Sequence, residues 1–403
     1  MLLRFGVENF RSIRDRQELS FVATAYNEGS AFELPVAPDD TLRISPVAAI
    51  YGANASGKSN VLRALWRFAE LAVGRWRDGG PYEPFGFGDH QLVEPTVFDA
   101  EFVVNEVRYR YGVAYDAERI HREWLYAYPH GRRQVWFTRD AARSQPFQFP
   151  GEYLKGAKTT LRDFVRDDAP FLSLGAALQH PQLSPITAKF DQLIPVGPEM
   201  PRRLGEVLAR RWDERMTDLV RNADMGVDGV EITRMDDNAA GGLSLTKPGV
   251  RLLHSGQPAP LYGESQGTLR WLYLLRPVLD ALDNGALLVV DELDYSLHPT
   301  LAAEIIRMFR NRRVNTGRAQ LLFSSHDVSM LGLQLGSRLL DRDQIWFTEK
   351  DADGTDLYCL REARPRKEEN IQLGYLAGRY GARPDLSPGE LGDVLTLAAN
   401  GVA

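Results

Sequence analysis

The sequence has 403 residues, 44% hydrophobic and 25% charged, with a formal net charge of −6. That is the composition of a folded chain with room for two or three domains, or for one domain with a large insertion. The acidic balance argues against a dominant, sequence-independent DNA-binding surface, though it leaves room for a local patch; no apolar run approaches the roughly 20 residues of a membrane span.

In chain order, residues 2–8 and 17–22 read as strands, and the opening run is strand-like rather than a signal peptide. Between them lies Asn9-Phe10-Arg11-Ser12-Ile13. Arg11 there is either a phosphate contact or a solvated hairpin arginine. Residues 27–45, rich in Gly, Pro and Asp, read as a loop, and 46–51 as a short buried strand. Gly52-Ala53-Asn54-Ala55-Ser56-Gly57-Lys58-Ser59 then fits the phosphate-loop pattern G-x-x-x-x-G-K-[ST] in full. A helix is expected over 60–74, with Val61, Leu62, Leu65, Phe68, Ala69 and Leu71 apolar. Strand, glycine loop and helix together aim backbone N–H groups and a helix N-terminus at one anion. On this motif Lys58 reaches the β- and γ-phosphates of a nucleotide, and the Ser59 hydroxyl ligates Mg²⁺.

Residues 79–95 read as another loop. From Thr96 the pattern alternates over 97–104, 107–113, 122–126 and 134–138, with turn-like Asn105-Glu106 and His130-Gly131 between runs. This predicts an antiparallel meander, a β-rich subdomain beside the nucleotide core. Residues 151–225 turn helical, with one stripe at Leu161, Phe164 and Val165. A longer stripe, Leu204, Val207, Leu208, Trp212, Met216 and Leu219, reads as a single helix whose mixed charge is a solvated face or, alternatively, a nucleic-acid contact. Strand-like pieces over 232–253 flank a flexible turn at 238–242. An amphipathic helix over 269–282 stops at Asn284-Gly285.

The all-apolar run 286–290 fits a strand buried on both faces, and it ends in Asp291-Glu292, at the strand end where parallel sheets bind ligands. Asp291 would hold Mg²⁺ with Ser59, and Glu292 would orient and deprotonate the attacking water. A third buried strand over 319–325 ends at His326, placed to sense the γ-phosphate. Arg307, Arg310, Arg312, Arg313 and Arg318 are a solvated helix face or a nucleic-acid patch. The only cysteine, Cys359, excludes intrachain disulfides, fits a reducing cytoplasm and reads as a buried structural thiol.

In this order the motifs resemble the ATP-binding-cassette branch of ATPases. Within it they resemble the stand-alone AAA-type ATPases of bacterial abortive-infection and anti-phage systems, relatives of the SMC, RecF and overcoming-lysogenization-defect ATPases. Asn54 and Ser56 give the phosphate loop the form typical of that branch. Glu264-Ser265-Gln266-Gly267-Thr268 resembles the cassette signature, though it lacks the double glycine of transport cassettes. The run from Asp291 through Asp294 to His298-Pro299 resembles Walker B plus D-loop, and Ser325-His326-Asp327 the switch histidine. The segment around Arg11 resembles the family's opening, which adds weight to a phosphate contact. Residues 223–231 and 375–384 resemble less well understood segments. The Q-loop is not readable; Gln91 and Gln134 are candidates. No long heptad arm argues for a true SMC protein.

The resemblance implies an α/β fold, a P-loop NTPase of ABC-ATPase type with a β-meander subdomain and a helical insertion. The expected division is 1–95 for the N-terminal half of the core, 96–150 for the β subdomain, 151–230 for the insertion, 231–384 for the second half and 385–403 for a tail. It further implies a cytoplasmic ATPase with ATP and Mg²⁺ as cofactors. Gly52, Asn54, Ser56, Gly57, Lys58, Ser59 and Asn60 would contact the nucleotide in one copy, Ser265 and Gly267 of a second copy would cap it, and Asp294 would couple the two sites. The expected assembly is an ATP-sandwiched homodimer or higher oligomer. The residues after Pro384 are too few for the C-terminal nuclease of larger relatives, so the effector, a nuclease or toxin, is expected on another chain. The alternative is a DNA-binding SMC- or RecF-like ATPase in DNA repair or maintenance.

Overall fold

The apolar runs expected as buried strands meet side by side in the computed structural model, which describes residues 1–27, 29–37, 40–75, 82–86, 94–233, 248–334, 337–366, 368–384, 389–390 and 392. They form a six-stranded sheet in the order Ile194–Val196, Leu287–Val290, Gln320–Ser324, Val47–Gly52, Ile345–Lys350, Thr355–Cys359. All neighbours are parallel except the last pair. Alternate side chains go to opposite faces. Ala48, Ile50, Val289 and Leu322 enter one core, while Val47, Ala49, Tyr51, Leu288, Val290 and Phe323 enter the other. Both faces are covered, which is why these strands carry no polar alternation. The helix Lys58–Ala72 covers the first face, and the helices Gln266–Asn284 and Pro299–Arg310 cover the second.

The helix after the phosphate loop begins at Lys58 rather than at 60, because Gly57, at φ 107°, turns the chain straight into it. Its far side packs on a seven-stranded antiparallel sheet, so the helix lies between two sheets. Phe68 marks the junction, with ring centroids 5.8 Å from Phe5, 5.9 Å from Phe98, 5.6 Å from Tyr111 and 5.2 Å from Phe190.

The expected meander is present as Thr96–Val104, Val107–Tyr115, Ile120–Ala127 and Gln134–Asp140. Asn105 and Glu106 turn its first hairpin at φ 49° and 62°, the left-handed values that match strand twist in two-residue turns. The sheet does not stop at the expected boundary near 96. Leu2–Glu8 pairs with Thr96–Val104, and Gln17–Ser20 with Leu2–Glu8, so the first strands of the chain belong to it.

Other departures have local causes. The expected loop 27–45 contains the hairpin Phe32–Ala37 and Asp40–Ile44, whose Phe32, Leu34 and Val36 alternate inward around Pro35. Of the stripe Leu161, Phe164 and Val165, only Leu161 is buried. Phe164 is 71% exposed, and Val165 is extended beyond the helix Lys158–Phe164. The long helix expected from Leu204 is two, Leu204–Arg210 and Glu214–Arg221, because Asp213 leaves helical geometry and caps the second by accepting from Arg215 N. Two of the arginines on this stretch pair within the chain, Arg215 with Asp213 at 2.7 Å and Asp283 at 2.6 Å, and Arg211 with Asp280 at 2.5 Å. Ahead of these two helices, Ile194–Val196 forms the edge of the parallel sheet, so the stretch expected as a helical insertion also supplies a core strand. Strands Gly229–Thr233 and Gly249–His254 pair antiparallel and Gln257–Pro260 extends them. The turn expected at 238–242 and most of the tail 385–403 lie outside the described residues.

Candidate active site

The phosphate loop leaves the C-terminal end of Val47–Gly52, in the middle of the parallel sheet. Lys58 is 5% exposed, and its Nζ donates to the carbonyls of Gly52 and Ala53, both at 2.9 Å. Burial lowers its pKa to about 8, against the opposing pull of Asp291, Glu292 and Asp294. A Cβ on Gly57 would overlap the Thr355 side chain. Thr355 is itself fixed, its hydroxyl donating to the Ser56 carbonyl at 3.0 Å and accepting from the Ser12 hydroxyl at 2.8 Å. Ser56 turns its hydroxyl inward to Thr348 Oγ1 at 2.6 Å, so its side chain braces the loop rather than facing the mouth. Asn54 is exposed on a cleft of about 490 Å³ that Thr348, Lys350 and Arg383 also line. Arg383 arrives there because Tyr375 and Tyr380 stack on Phe347 at 5.4 and 6.1 Å.

The neighbouring strand brings the carboxylates. Ser59 Oγ donates to Asp291 Oδ1 at 3.1 Å, and Ser324 Oγ donates to the same oxygen at 2.6 Å. The Ser324 hydroxyl also accepts from Glu292 N at 2.8 Å. Glu292 sits at φ 53°, a left-handed backbone that costs a side-chain-bearing residue energy and persists only where surrounding bonds hold it. Those bonds are Ser324 on its N–H and Arg270 Nη2 on its carbonyl at 3.2 Å. Arg270 is wholly buried and also donates to Gly197 O at 2.7 Å.

A hydroxyl and a carboxylate at 3.1 Å form a hard-oxygen pair that suits Mg²⁺, which takes one or two protein oxygens and completes its shell with phosphate and water. Among the described residues no cluster of three His, Cys, Asp or Glu able to hold a metal occurs.

Asp294 lies at the same mouth and accepts from His326 N at 3.3 Å. Desolvation, then the Lys58 ammonium, lower the His326 imidazole below its ordinary value, so it is neutral at pH 7. Asn60 donates to Ser12 Oγ at 2.7 Å. Arg11 pairs with Glu83 and reaches Asn60 Oδ1 at 3.5 Å, so in this state its guanidinium is engaged beside the loop.

Ser265 and Gly267 are not at this mouth. They line a separate cleft of about 630 Å³ with Asp224, His298 and Thr300. Ser265 caps the helix Gln266–Asn284 by accepting from Thr268 N at 3.1 Å. Gln91 lies outside the described residues, and Gln134 opens a meander strand opposite Ala127. In the arginine cluster, Arg310 pairs with Asp341 at 3.1 Å, Arg307 pairs with Glu304, and Arg312 donates to Ala31 O.

Ser324, Arg270, Ser12, Thr348 and Thr355 were not singled out by sequence. Ser324 alone left a signal, two residues before the expected switch histidine on a strand that had to pair beside Asp291.

Over residues 47–331 the chain matches the family model described as "AAA domain, putative AbiEii toxin, Type IV TA system". The match spans well over half of the sequence. The chain belongs to this family. As an AAA-domain protein it is a P-loop ATPase with an α/β nucleotide-binding fold, and nucleotide binding comes with that membership. Among solved structures, an SMC head bound to the C-winged helix domain of ScpA is 13% identical, with a TM-score of 0.45, covering 89% of this chain and 97% of that one. The SMC head domain from Thermotoga maritima is 13% identical, with a TM-score of 0.42, covering 89% and 98%. No curated protein matches the sequence. Among the described residues no helix is long and apolar enough to cross a membrane.

Proposed function

We propose that this AAA-domain protein is the ATP-hydrolysing regulatory or sensor subunit of a bacterial anti-phage, abortive-infection system. In this reading two copies close head to head on ATP and thereby control a separate effector chain, a nuclease or toxin. The family's description, with its AbiEii toxin and type IV toxin–antitoxin terms, supports the context. The observation that carries the mechanism is the hydrogen-bonded chain Ser59, Asp291, Ser324 and Glu292 at the mouth of the phosphate loop.

Lys58 exchanges the Gly52 and Ala53 carbonyls for the β- and γ-phosphates. The loop N–H groups and the first turn of Lys58–Ala72 hold the remaining phosphate oxygens. Ser59 and Asp291 would hold Mg²⁺, which would supply charge neutralisation for the phosphates. Glu292 orients a water for in-line attack and accepts its proton, while His326 donates toward the γ-phosphate. Ser265 and Gly267, in their own cleft, serve the nucleotide of a second copy, with Asp294 linking the two sites. Hydrolysis then reports closure of the pair.

The test is Glu292→Gln with Mg-ATP. The variant is expected to bind ATP, to turn it over about 10²- to 10⁴-fold more slowly, and to gain mass by light scattering only with ATP. Turnover at the wild-type rate would remove Glu292 from its role. DNA-stimulated turnover that falls steeply with salt would point to nucleic acid as the partner instead.

A further inference from the structure

The cleft that holds Ser265 is floored by His298, Thr300 and Leu301 and has two walls from other parts of the chain, 223–225 on one side and the signature segment 264–268 on the other. One side chain ties them. His254, the last residue of the strand Gly249–His254, places Nδ1 2.9 Å from the Gly226 carbonyl and Nε2 2.8 Å from Glu264 Oε1. A carbonyl only accepts, and an ionised carboxylate only accepts. Both ring nitrogens must therefore carry protons, and a neutral ring, of either tautomer, would set a lone pair against an acceptor.

The Glu264 side chain is nearly buried, so the bridge is its main compensation there. Ser265 follows directly in the chain, and its hydroxyl is already committed in cis to the Thr268 N–H. Small movements of Glu264 thus pass to the residue meant to face the other copy's nucleotide. A further acidic neighbour among the described residues is Asp228, on the Gly226 side, whose Oδ2 accepts from Gly256 N at 2.9 Å. The hairpin turn Ser255-Gly256 that follows His254 is uncharged. The groups facing the ring are therefore acidic, and the hydrogen bond to Glu264, with Gly226 and Asp228 adding, raises the imidazole above its ordinary value.

We propose that His254, as an imidazolium bridging Gly226 and Glu264, is a positioning residue that sets the nucleotide-capping segment Ser265–Gly267, so that capping between two copies depends on a proton. This rests on the trans role of Ser265 given above. The sign follows from the geometry. Below the raised pKa both bonds stand and the walls are joined; as pH rises through it, one bond is lost and the cap loosens.

The experiment uses the full-length chain in the Glu292→Gln background, with ATP-dependent association read by light scattering from pH 6 to 9. Affinity for a fluorescent ATP analogue is read alongside. His254→Ala, Glu264→Gln and Ser265→Ala are compared after a melt confirms folding. His254→Ala is expected to weaken association at least tenfold at pH 7 while leaving analogue affinity within about twofold, because the phosphate loop is untouched. With ATP held saturating at every pH, so that the proton Lys58 takes up on nucleotide binding does not enter, the parent is expected to lose association on the alkaline side and His254→Ala to show a flat profile. In nitrogen-15 spectra of the folded chain at pH 7, both His254 ring nitrogens should be protonated. A neutral ring, or an unchanged profile in His254→Ala, overturns the proposal. If Ser265→Ala weakens association but His254→Ala does not, the positioning role fails and the head-to-head reading stands. If neither has an effect, the trans role fails and takes the proposal with it.

Discussion

Replacing Ser324 by alanine tests the site's internal wiring without touching the phosphate loop. The residue is fully buried, and its hydroxyl makes two bonds, to Asp291 Oδ1 at 2.6 Å and from Glu292 N at 2.8 Å. The first is charge-assisted, and such bonds contribute about 1.5–3 kcal/mol. Losing the second leaves a backbone N–H without its partner, at a cost of about 1–3 kcal/mol. Asp291 keeps Ser59, and bonds sharing one atom do not add fully, so the expected loss is about 2–4 kcal/mol. Packing contributes little, since one hydroxyl is removed. Urea unfolding without nucleotide should show a lower midpoint with an unchanged slope. Turnover should fall more than ATP affinity, because the left-handed turn at Glu292 loses its N–H anchor while the loop keeps its own bonds. A stability change below about 0.5 kcal/mol, the range of an ordinary surface substitution, would refute the reasoning.

Three further outcomes are expected. Gly57→Ala places a Cβ against Thr355 at a backbone angle of φ 107°, and Thr355 is pinned by Ser12 and Ser56; an unchanged melting temperature and nucleotide affinity would contradict this. Lys58, at about 8 in the free protein, should gain a proton when the triphosphate raises its pKa, so nucleotide binding near pH 8 should take up protons and Lys58→Met should abolish that uptake. Calorimetry in buffers of different ionisation enthalpy measures it, and buffer-independent heats would sink it. Cys359 is buried, and burial pushes its thiol up to about 12, so a thiol reagent at pH 8 should label it only after unfolding.

What was legible in the sequence is what one contiguous element encodes. The phosphate loop fixes its spacing between Gly52 and Ser59, and the apolar strand before Asp291 announces that both its faces are covered. The meander was legible because each run alternates and each turn carries its own chemistry. The rest arises from elements far apart in the chain. Ile194–Val196 is too short, and too interrupted by Pro195, to show any period, yet register against Leu287–Val290 makes it core. Ser324 matters only because its strand lies beside the one ending at Asp291. Ser56 occupies a loop position, but the strand Ile345–Lys350 offers Thr348, and the hydroxyl turns there. Arg11 meets Glu83, a partner that no local pattern could supply.

The helix that begins with Lys58 is clamped between two sheets, with Phe68 ringed by aromatic side chains from the antiparallel one. Close-packed interiors transmit displacement rather than absorb it. A protein that gripped the outer face of the meander would therefore pull on the helix that begins with Lys58, with Phe68 as the fulcrum. The force would run both ways, so the proposed closure on a nucleotide at one end would press on the sheet that a bound neighbour held at the other.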